Sequence, residues 1–294
     1  MQKHAYLIIA HNNFNLLKTL LKLIDDERND IYIHIDKKAN YNNYEELKAS
    51  VKKSKIFIYK EYKLYWGDFS LIKVTMFLLK NSIKNKYQYY HLLSGVDLPL
   101  KSQDFIHNFF NINQGKNFIN FIEKDDIEEN IEERIKYYHF FLKCKSFKKG
   151  KVLQKLNKIL VYLQKILKIN RLKKLDYEIY YGCNWFSITH NFALYIIKRE
   201  KFINKYFKHA FGADELFVQT LIMNSPYKNT LYKKDKRNSY IQCVRKIDWE
   251  RGNPYVFKKE DYKELIESPY LFARKFDENI DNSIIEMIYK SLKN

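Results

Sequence analysis

Glycine and proline are scarce in this sequence, with 7 and 4 residues among 294. No flexible or proline-rich linker therefore divides the chain, and a chain of this length is able to bury one large core or two modest ones. We predict a single compact domain over residues 1–294 that carries a basic helical insertion at residues 143–175.

Cysteine and long apolar runs are also rare. Cys144, Cys183 and Cys243 have no paired spacing, which is typical of a reduced cytosolic protein and argues against a disulfide scaffold or a zinc site. No stretch approaches the ~20 apolar residues that a membrane-spanning helix needs, and the apolar run before His11 is too short for a signal peptide. We therefore expect a cytoplasmic protein that is soluble or peripheral on the inner face of the membrane.

Positive charge is abundant. The chain has 53 basic and 34 acidic residues, a net charge of +19, which favours an anionic partner such as nucleic acid, anionic lipid or a phosphorylated substrate. Residues 143–174 hold twelve Lys or Arg and no acid, with Leu and Ile at helical spacing, and this pattern predicts a basic amphipathic helix.

Two interpretations of this basic helix stay open. It packs on the core with a solvated basic face, or it lies on anionic lipid, where each cation contributes about 1 kcal/mol. No nucleic-acid recognition module accompanies the charge, so we do not expect a nucleic-acid partner.

Short apolar runs alternate with helical patterns from the N-terminus. Strands are predicted at residues 5–10, 31–35 and 56–59, with helices at 14–24 and 44–52 between them. This β-α-β-α-β order implies a parallel sheet of the nucleotide-binding type, whose ligands lie beyond the carboxyl ends of the strands. Further strands are predicted at residues 89–93, 118–122, 180–188 and 240–244, and further helices at residues 70–84, 103–110 and 190–198.

A pair of adjacent carboxylates, Asp214 and Glu215, follows Gly212 and opens an apolar run with helical spacing. Acidic residues are favoured at a helix start because they face unpaired backbone N–H groups and the positive end of the helix dipole. A carboxylate on the lip of a loop is also a common general base. The residues alone leave both interpretations open.

Eight stretches of the chain resemble, in order, the core-2/I-branching β-1,6-N-acetylglucosaminyltransferases, together with the related protein xylosyltransferases and their bacterial relatives. The two most specific are Leu-Leu-Ser-Gly-Val-Asp-Leu-Pro-Leu at residues 92–100 and Leu-Phe-Ala-Arg-Lys-Phe-Asp at residues 271–277. The others are Ile8-Ile9-Ala10-His11, Ile33-His34-Ile35-Asp36, Trp66-Gly67-Asp68-Phe69-Ser70, Gly182 to Ile188, Ala213 to Thr220 and Ile247-Asp248-Trp249. The basic helix lies outside the resemblance.

The resemblance implies an α/β fold of the GT-A type, a Rossmann-like mixed sheet flanked by helices. Residues 1–122 would form its nucleotide-binding half and residues 180–294 its acceptor and catalytic half. It also implies inverting transfer from a UDP-sugar with no cofactor and no divalent metal. Metal-dependent GT-A enzymes generally carry an Asp-x-Asp pair, and none occurs in this sequence. Fixed cations would then neutralise the diphosphate leaving group.

The resemblance assigns roles around the nucleotide. Asp36 matches the family's uracil-contacting aspartate. Ala10 and His11 would line the same pocket, and Trp66 falls where an aromatic residue contacts the ribose. From the residues alone, Asp36 also fits an ordinary acid at a strand end.

Three cations are assigned to the diphosphate. Lys275 matches the family's phosphate-contacting lysine, and Arg251 lies within one residue of the place of its partner arginine. Arg274 is a neighbour that would assist or be solvated. Without the resemblance, an Arg-Lys pair near the end of a chain is usually surface charge.

The remaining roles concern chemistry and acceptor binding. Glu215 matches the catalytic base, which takes the proton of the acceptor hydroxyl as that oxygen attacks the anomeric carbon. Asp214 is expected to cap the helix or bind a hydroxyl. Trp249 resembles an aromatic acceptor platform, with core packing as its alternative, and Asp97 and Trp185 are expected near the cleft.

The resulting hypothesis is a glycosyltransferase of surface polysaccharide or lipid-linked oligosaccharide synthesis that uses a UDP-sugar donor and a glycan acceptor. N-Acetylglucosamine is the expected sugar, with xylose, galactose or glucose as alternatives. A basic membrane- or nucleic-acid-binding protein without enzymatic activity is the alternative of another class.

Overall fold

Buried strands and amphipathic helices alternate through the N-terminal third, as the apolar runs predict. The computed structural model describes residues 2–123, 130–143, 150–235 and 239–293. The first elements are β1 (His4–Ala10), α1 (Phe14–Ile24), β2 (Asn29–Ile35), α2 (Tyr44–Ala49), β3 (Lys55–Tyr59), α3 (Ser70–Ser82), β4 (Tyr89–Ser94), β5 (Leu98–Pro99), α4 (Gln103–Ile112) and β6 (Phe118–Ile119).

The second half is richer in helix and short turns. Its elements are α5 (Ile131–Lys136), α6 (Gly150–Ile166), β7 (Phe186–Thr189), α7 (His190–Lys198), α8 (Glu200–Phe207), α9 (Phe217–Met223), β8 (Arg245–Ile247), α10 (Tyr262–Glu267), β9 (Phe272–Arg274) and α11 (Asn282–Lys293).

The main sheet has six strands in the order β3-β2-β1-β4-β7-β6. The first four are parallel, and β7 runs antiparallel to both β4 and β6. A second sheet has the order β5-β9-β8, and all three of its strands follow β4 in the chain. This is the predicted mixed sheet flanked by helices, and the α/β fold class is confirmed.

Both faces of the main sheet are buried. Alternate residues of β1 enter two different apolar clusters: Ala5, Leu7 and Ile9 pack with α3, α7 and α9, whereas Tyr6 and Ile8 pack with α1, α4 and α11. Because successive side chains of a strand point to opposite faces, the near-continuous apolar run of β1 supplies both layers.

Two predicted strands differ from the structure. Residues 240–244 begin as a 3₁₀ helix (Tyr240–Cys243), because the Ser239 hydroxyl accepts from the Ile241 amide and Val244 is left-handed with a φ of 54°. The strand follows it as β8. In the predicted strand at residues 180–188 only β7 is regular, because the preceding backbone is held by side chains such as Asn120, whose Oδ1 accepts from the Cys183 amide at 3.0 Å.

The basic segment forms α6, which is shorter than the predicted 143–175. Cys144 and the rest of residues 144–149 lie outside the described residues, as do residues 124–129. Polar side chains attach α6 to the protein. The Gln164 amide bonds both backbone groups of Tyr138, at 2.8 and 3.0 Å, and Asn157 Oδ1 accepts from the Phe140 amide. The apolar stripe of α6 faces solvent, with exposed fractions from 39% to 67% at Val152, Leu156, Ile159, Leu163 and Ile166.

Candidate active site

The strand order reverses between β1 and β4, and the predicted nucleotide residues lie at this point. Gly95, just after β4, donates its amide to Ile9 O, and a Cβ at position 95 would lie 2.9 Å from the Ala10 Cβ. Glycine at this position therefore lets the two strand ends approach closely. Such a reversal is where open α/β sheets bind ligands.

Asp36 is buried at the end of β2 and organises the loop beside it. Its amide donates to Ala10 O at 2.8 Å, and its Oδ1 accepts from the amides of Lys38 and Leu64. The Lys38 ammonium lies 3.5 Å from Asp36 Oδ2 and 4.2 Å from the centre of the Tyr65 ring. These hydrogen bonds of Asp36 fix the position of the loop.

Cations from the tail gather at these strand ends. Desolvation by the surrounding protein lowers the pKa of His11; Asp36 opposes this shift, and Lys38, Arg274 and Lys275 reinforce it. His11 therefore lies within electrostatic reach of all four. The structure brings together residues from β1, β2 and β9 that are far apart in sequence.

Arg274 joins this cluster to two further predicted residues. Its guanidinium lies 4.4 Å from the centre of the Trp185 ring, and its Nε is 3.5 Å from Asp97 Oδ1. Asp97 is 1% exposed and accepts from the amide and hydroxyl of Ser94. Burial raises the pKa of Asp97 even though Arg274 favours its charged form.

The acid turn (Gly212 to Glu215) is a 3₁₀ turn that precedes α9. Gly212 has a φ of 58° and donates its amide to Gly67 O at 3.0 Å. Asp214 is buried and accepts from Asn184 Nδ2 at 3.3 Å. Burial, with the neighbouring Glu215 charge, raises the pKa of Asp214 to about 7. The two adjacent acids are therefore inequivalent.

Glu215 forms an ion pair with Arg134 of α5, with 2.9 Å between Oε2 and Nη1. The Arg134 guanidinium lies 5.2 Å from the Tyr181 ring centre and 5.5 Å from that of Phe211, which fixes its orientation. The sequence does not mark Arg134 as functional, because it directly follows the acidic residues 123–133, a pattern typical of a solvated loop and helix start. Only its proximity in space marks it.

The acid turn and the cation cluster are connected by consecutive residues. Asn184 bonds Asp214, and Trp185 stacks on Arg274. The Trp66 loop makes a second connection: the Lys38 ammonium lies over the Tyr65 ring, and the Gly67 carbonyl accepts from the Gly212 amide. The carboxylates of the acid turn and the cations at the strand ends are therefore linked through neighbouring residues on both sides.

Trp66 projects from the loop that joins these parts. Its indole is 69% exposed and meets the Phe211 ring edge at a centroid distance of 5.6 Å. Gly67 has a φ of 70°, and a Cβ there would lie 2.7 Å from Phe211 Cε2. Close packing of the loop on Phe211 thus requires glycine, and it leaves the Trp66 face open to solvent.

Arg251 and Trp249 lie on the loop beside the tail. The Arg251 guanidinium pairs with Asp248 at 2.5 Å and with Asp261 at 2.7 Å, so two carboxylates already neutralise it. The guanidinium carbon of Arg251 also lies 4.0 Å from the centre of the Tyr255 ring. The backbone carbonyl of Tyr255 in turn accepts from the backbone amide of Lys275. Trp249 is 47% exposed, which leaves its face accessible to a sugar.

Metal ligands do not gather in this region. Throughout residues 2–123, 130–143, 150–235 and 239–293, no three carboxylate, imidazole or thiol groups are placed to hold an ion together. In the same ranges, no helix combines the length and apolar character needed to cross a membrane. Metal independence stays a prediction.

Fold and site together define an α/β protein with a ligand site at the carboxyl ends of parallel strands. Residues 4–266 match the family model of the Core-2/I-Branching enzyme, and the chain belongs to this glycosyltransferase family. The family resemblance seen in the sequence is confirmed.

Proteins similar to this chain include xylosyltransferases from animals. Xylosyltransferase 2 of Rattus norvegicus is 24% identical over 97% of this chain and 33% of its own length, and Xylosyltransferase sqv-6 of Caenorhabditis briggsae is 26% identical over 93% and 34%. The chain thus spans about a third of the length of these relatives. Among solved structures, mouse Xyloside xylosyltransferase 1 in its apo form aligns over 93% of this chain and 97% of its own, at 9% identity and a TM-score of 0.39.

Proposed function

We propose that this protein transfers a sugar from a UDP-sugar to a hydroxyl of a glycan acceptor, with inversion at the anomeric carbon and without a divalent metal. The observation that carries the proposal is the convergence of His11, Lys38, Arg274 and Lys275 beside Asp36, next to the acid turn. N-Acetylglucosamine is the proposed sugar, with xylose as the first alternative because the relatives found here are named xylosyltransferases.

The proposed chemistry needs one base and a neutralised leaving group. The acceptor oxygen forms a bond to the anomeric carbon, the bond from that carbon to the β-phosphate oxygen breaks, and the acceptor proton passes to Glu215. UDP departs with its negative charge facing Arg274 and Lys275. Preorganised cations in a partly desolvated site stabilise such charge strongly.

Arg134 would hold the Glu215 carboxylate in place for this step. Their contact joins Arg134 Nη1 to Glu215 Oε2 at 2.9 Å and orients the carboxylate. Asp214 titrates near neutral pH because of its burial, and in its protonated form it is able to donate a hydrogen bond. This supports the expectation that Asp214 binds a hydroxyl rather than acts as the base.

The exposed stripe of α6 supports a peripheral position on anionic membrane, where a lipid-linked acceptor would be reached from the cytoplasmic face. Leu156, Ile159 and Leu163 face solvent although they are apolar, and lysines flank them along the helix. An interfacial helix buries such a stripe in the headgroup region and sets its cations against anionic lipid.

The decisive experiment is a thermal-shift panel of UDP-N-acetylglucosamine, UDP-xylose, UDP-galactose and UDP-glucose, followed by donor hydrolysis with EDTA or with Mn²⁺. We expect one donor to stabilise the protein most and to be hydrolysed equally in EDTA. Strict Mn²⁺ dependence would contradict the metal-free mechanism. No binding of any UDP-sugar, together with a salt-sensitive shift of DNA, would favour the non-enzymatic alternative.

A further inference from the structure

A groove of about 1030 Å³ is lined by residues on both sides of Trp66 in the loop before α3. Its walls come from the loop after β3, from α3, from α8 and from the segment between α5 and α6. None of the residues assigned above to donor, acceptor or catalysis lines it. Its size falls in the range of ligand-binding clefts in proteins.

The groove carries an excess of positive charge. Six lysines and three carboxylates line it: Lys37, Lys63, Lys73, Lys80, Lys143 and Lys208 against Glu61, Asp68 and Glu200. Two of the acids are occupied, since Glu200 pairs with Lys80 at 2.6 Å and Asp68 accepts from the Ser70 amide at 2.9 Å. Within the described part of the chain, Lys63, Lys73 and Lys208 pair with no carboxylate.

Aromatic rings are interleaved with these cations. Tyr62, Tyr65, Phe77 and Phe140 line the groove, and the Lys73 ammonium lies 4.4 Å from the Tyr62 ring centre. Tyr62 is supported from behind by a stacked His34 and by the edge of Phe77, so its position is fixed. Aromatic faces bind the C–H surfaces of sugar rings, and lysines bind carboxylate or phosphate groups.

The groove adjoins both the proposed reaction centre and α6. Tyr65 and Asp68 in its wall flank Gly67, which binds Gly212 of the acid turn. The His139 ring, also in the wall, lies 6.1 Å from the Phe211 ring centre, and His139 Nδ1 accepts from Asn157 Nδ2 of α6 at 3.3 Å. A chain lying in the groove would therefore run from the membrane-proximal helix toward Glu215.

We propose that this groove binds an anionic oligosaccharide, the part of the acceptor that lies beyond the reacting sugar. Its charge is carried by uronic-acid carboxylates or by phosphate substituents. The binding site stands on the charge and aromatic lining alone, whereas the identification of its ligand as an acceptor rests on the proposed transferase function.

The probe for carboxylates is tetragalacturonate, with neutral cellotetraose of the same length as its control and phosphorylated maltotetraose as the phosphate arm. We expect calorimetry at low salt to show binding of at least one charged probe, about tenfold tighter than cellotetraose, and to show weaker binding at high salt. The charged probe that binds more tightly shows whether the groove prefers carboxylate or phosphate groups on its ligand. Equal affinity for charged and neutral tetrasaccharides, or no binding of either charged probe, would overturn the proposal.

The variant that tests the location combines Lys63→Glu, Lys73→Glu and Lys208→Glu. A matched triple, Lys22→Glu, Lys290→Glu and Lys293→Glu, makes the same change in net charge on α1 and α11, which pack on the opposite side of the sheet. All six side chains are exposed, so both variants should fold. We expect the groove triple to lose about tenfold or more in affinity and the matched triple to lose little. An equal loss in both would show that net charge and not the groove binds the probe.

Two further readouts separate this proposal from its alternatives. UDP binding should be unchanged in the groove triple, because the donor site lies elsewhere; if the wild-type protein binds tetragalacturonate but no UDP-sugar, the groove proposal is supported and the proposed transferase function is contradicted. If the groove triple loses vesicle binding but keeps tetragalacturonate binding, the groove serves the membrane and the proposal is wrong.

Discussion

Asp214 and Glu215 of the acid turn show how two identical chemical groups acquire different environments. Asp214 and Glu215 are adjacent carboxylates, yet Asp214 is buried on Asn184 while Glu215 reaches the surface and pairs with Arg134. Burial penalises the charged form of Asp214, whereas Glu215 lies in an ion pair. The two acids of the turn therefore stand in different environments.

Replacing Glu215 tests the base. Glu215→Gln keeps the shape of the side chain and removes its ability to take a proton, so we expect kcat to fall by about 10²–10⁴-fold. UDP binding should be nearly unchanged, because the carboxylate does not face the nucleotide in the proposed geometry. Steady-state transfer assays and UDP titration measure both. The exposed Glu267→Gln of α10 is the control, and wild-type turnover in Glu215→Gln would remove Glu215 as the base.

Replacing Asp214 tests the pKa of the buried acid. Because the folded-state pKa is raised to about 7, the neutral carboxyl contributes stability that is fully present below its unfolded value of 3.8 and is lost as pH rises toward 7. Asp214→Asn does not ionise. Between about pH 5.5 and pH 8 its free energy of unfolding, relative to wild type, should rise by roughly 2 kcal/mol.

Urea unfolding at the two pH values measures this difference for Asp214. Asp104→Asn, at an 88% exposed side chain, serves as the matched control and should show no such gain. A constant difference between Asp214→Asn and wild type across this range would contradict the raised pKa.

Among the described helices, α6 leaves a large part of its apolar surface exposed. Its polar Asn157 and Gln164 face the protein, and its apolar stripe faces outward. A helix held only for stability would bury the apolar side, because burial of each large aliphatic side chain is worth about 1.5–3 kcal/mol. The observed orientation instead presents this stripe to a partner.

Charged substitutions in the stripe test the membrane as that partner. We expect wild-type protein to sediment with vesicles containing phosphatidylglycerol and not with pure phosphatidylcholine, because both apolar insertion and anionic charge contribute. Ile159→Asp with Leu163→Asp should weaken vesicle binding by about tenfold or more without lowering the melting temperature, since both side chains are exposed.

The control for α6 is the pair Ile112→Asp and Ile280→Asp, which changes two apolar residues outside this helix that are at least as exposed as Ile159 and Leu163. Vesicle binding should be retained in this pair. Equal vesicle binding by the α6 pair and by wild type would leave the stripe without a membrane role.

For the whole molecule, four buried histidines make the free energy of unfolding depend on pH. His4, His91 and His107 form a connected group under the sheet, and His34 is buried beside Tyr62. Burial lowers the pKa of His34 and His107 to about 4 and places those of His4 and His91 well below 6.5. The folded state therefore holds these imidazoles neutral.

Stability should fall as pH drops below the unfolded histidine value, because the unfolded chain then binds protons that the native state excludes. Each of His34 and His107 contributes a loss of about 1.4 kcal/mol per pH unit below 6.5, so the pair loses about 3 kcal/mol by pH 5.5. Urea midpoints at about pH 7.5 and pH 5.5 measure the effect. His107→Gln should reduce the slope, and unchanged midpoints in wild type would contradict the prediction.

The sequence by itself was enough to predict the α/β class and the family. Fully apolar runs such as that of β1 specify strands buried on both faces, and the alternating helical periods specify crossovers that make the sheet parallel. The placement of His11 and Asp36 followed from the same rule, since parallel strands deliver their carboxyl ends to one edge. These features depend on local patterns and could be predicted without contacts.

Only the tertiary structure decided which distant side chains meet. The pairing of Arg134 with Glu215, the use of Arg251 by two carboxylates and the outward turn of the α6 stripe leave no local pattern, because they depend on contacts between segments far apart in the chain. The strand β8 begins after the predicted strand at residues 240–244 for a local reason, because a Ser239 cap and a left-handed Val244 outweigh strand propensity there. Local periodicity specifies elements, whereas charge pairing and the partner of each face are set by the packing of the whole chain.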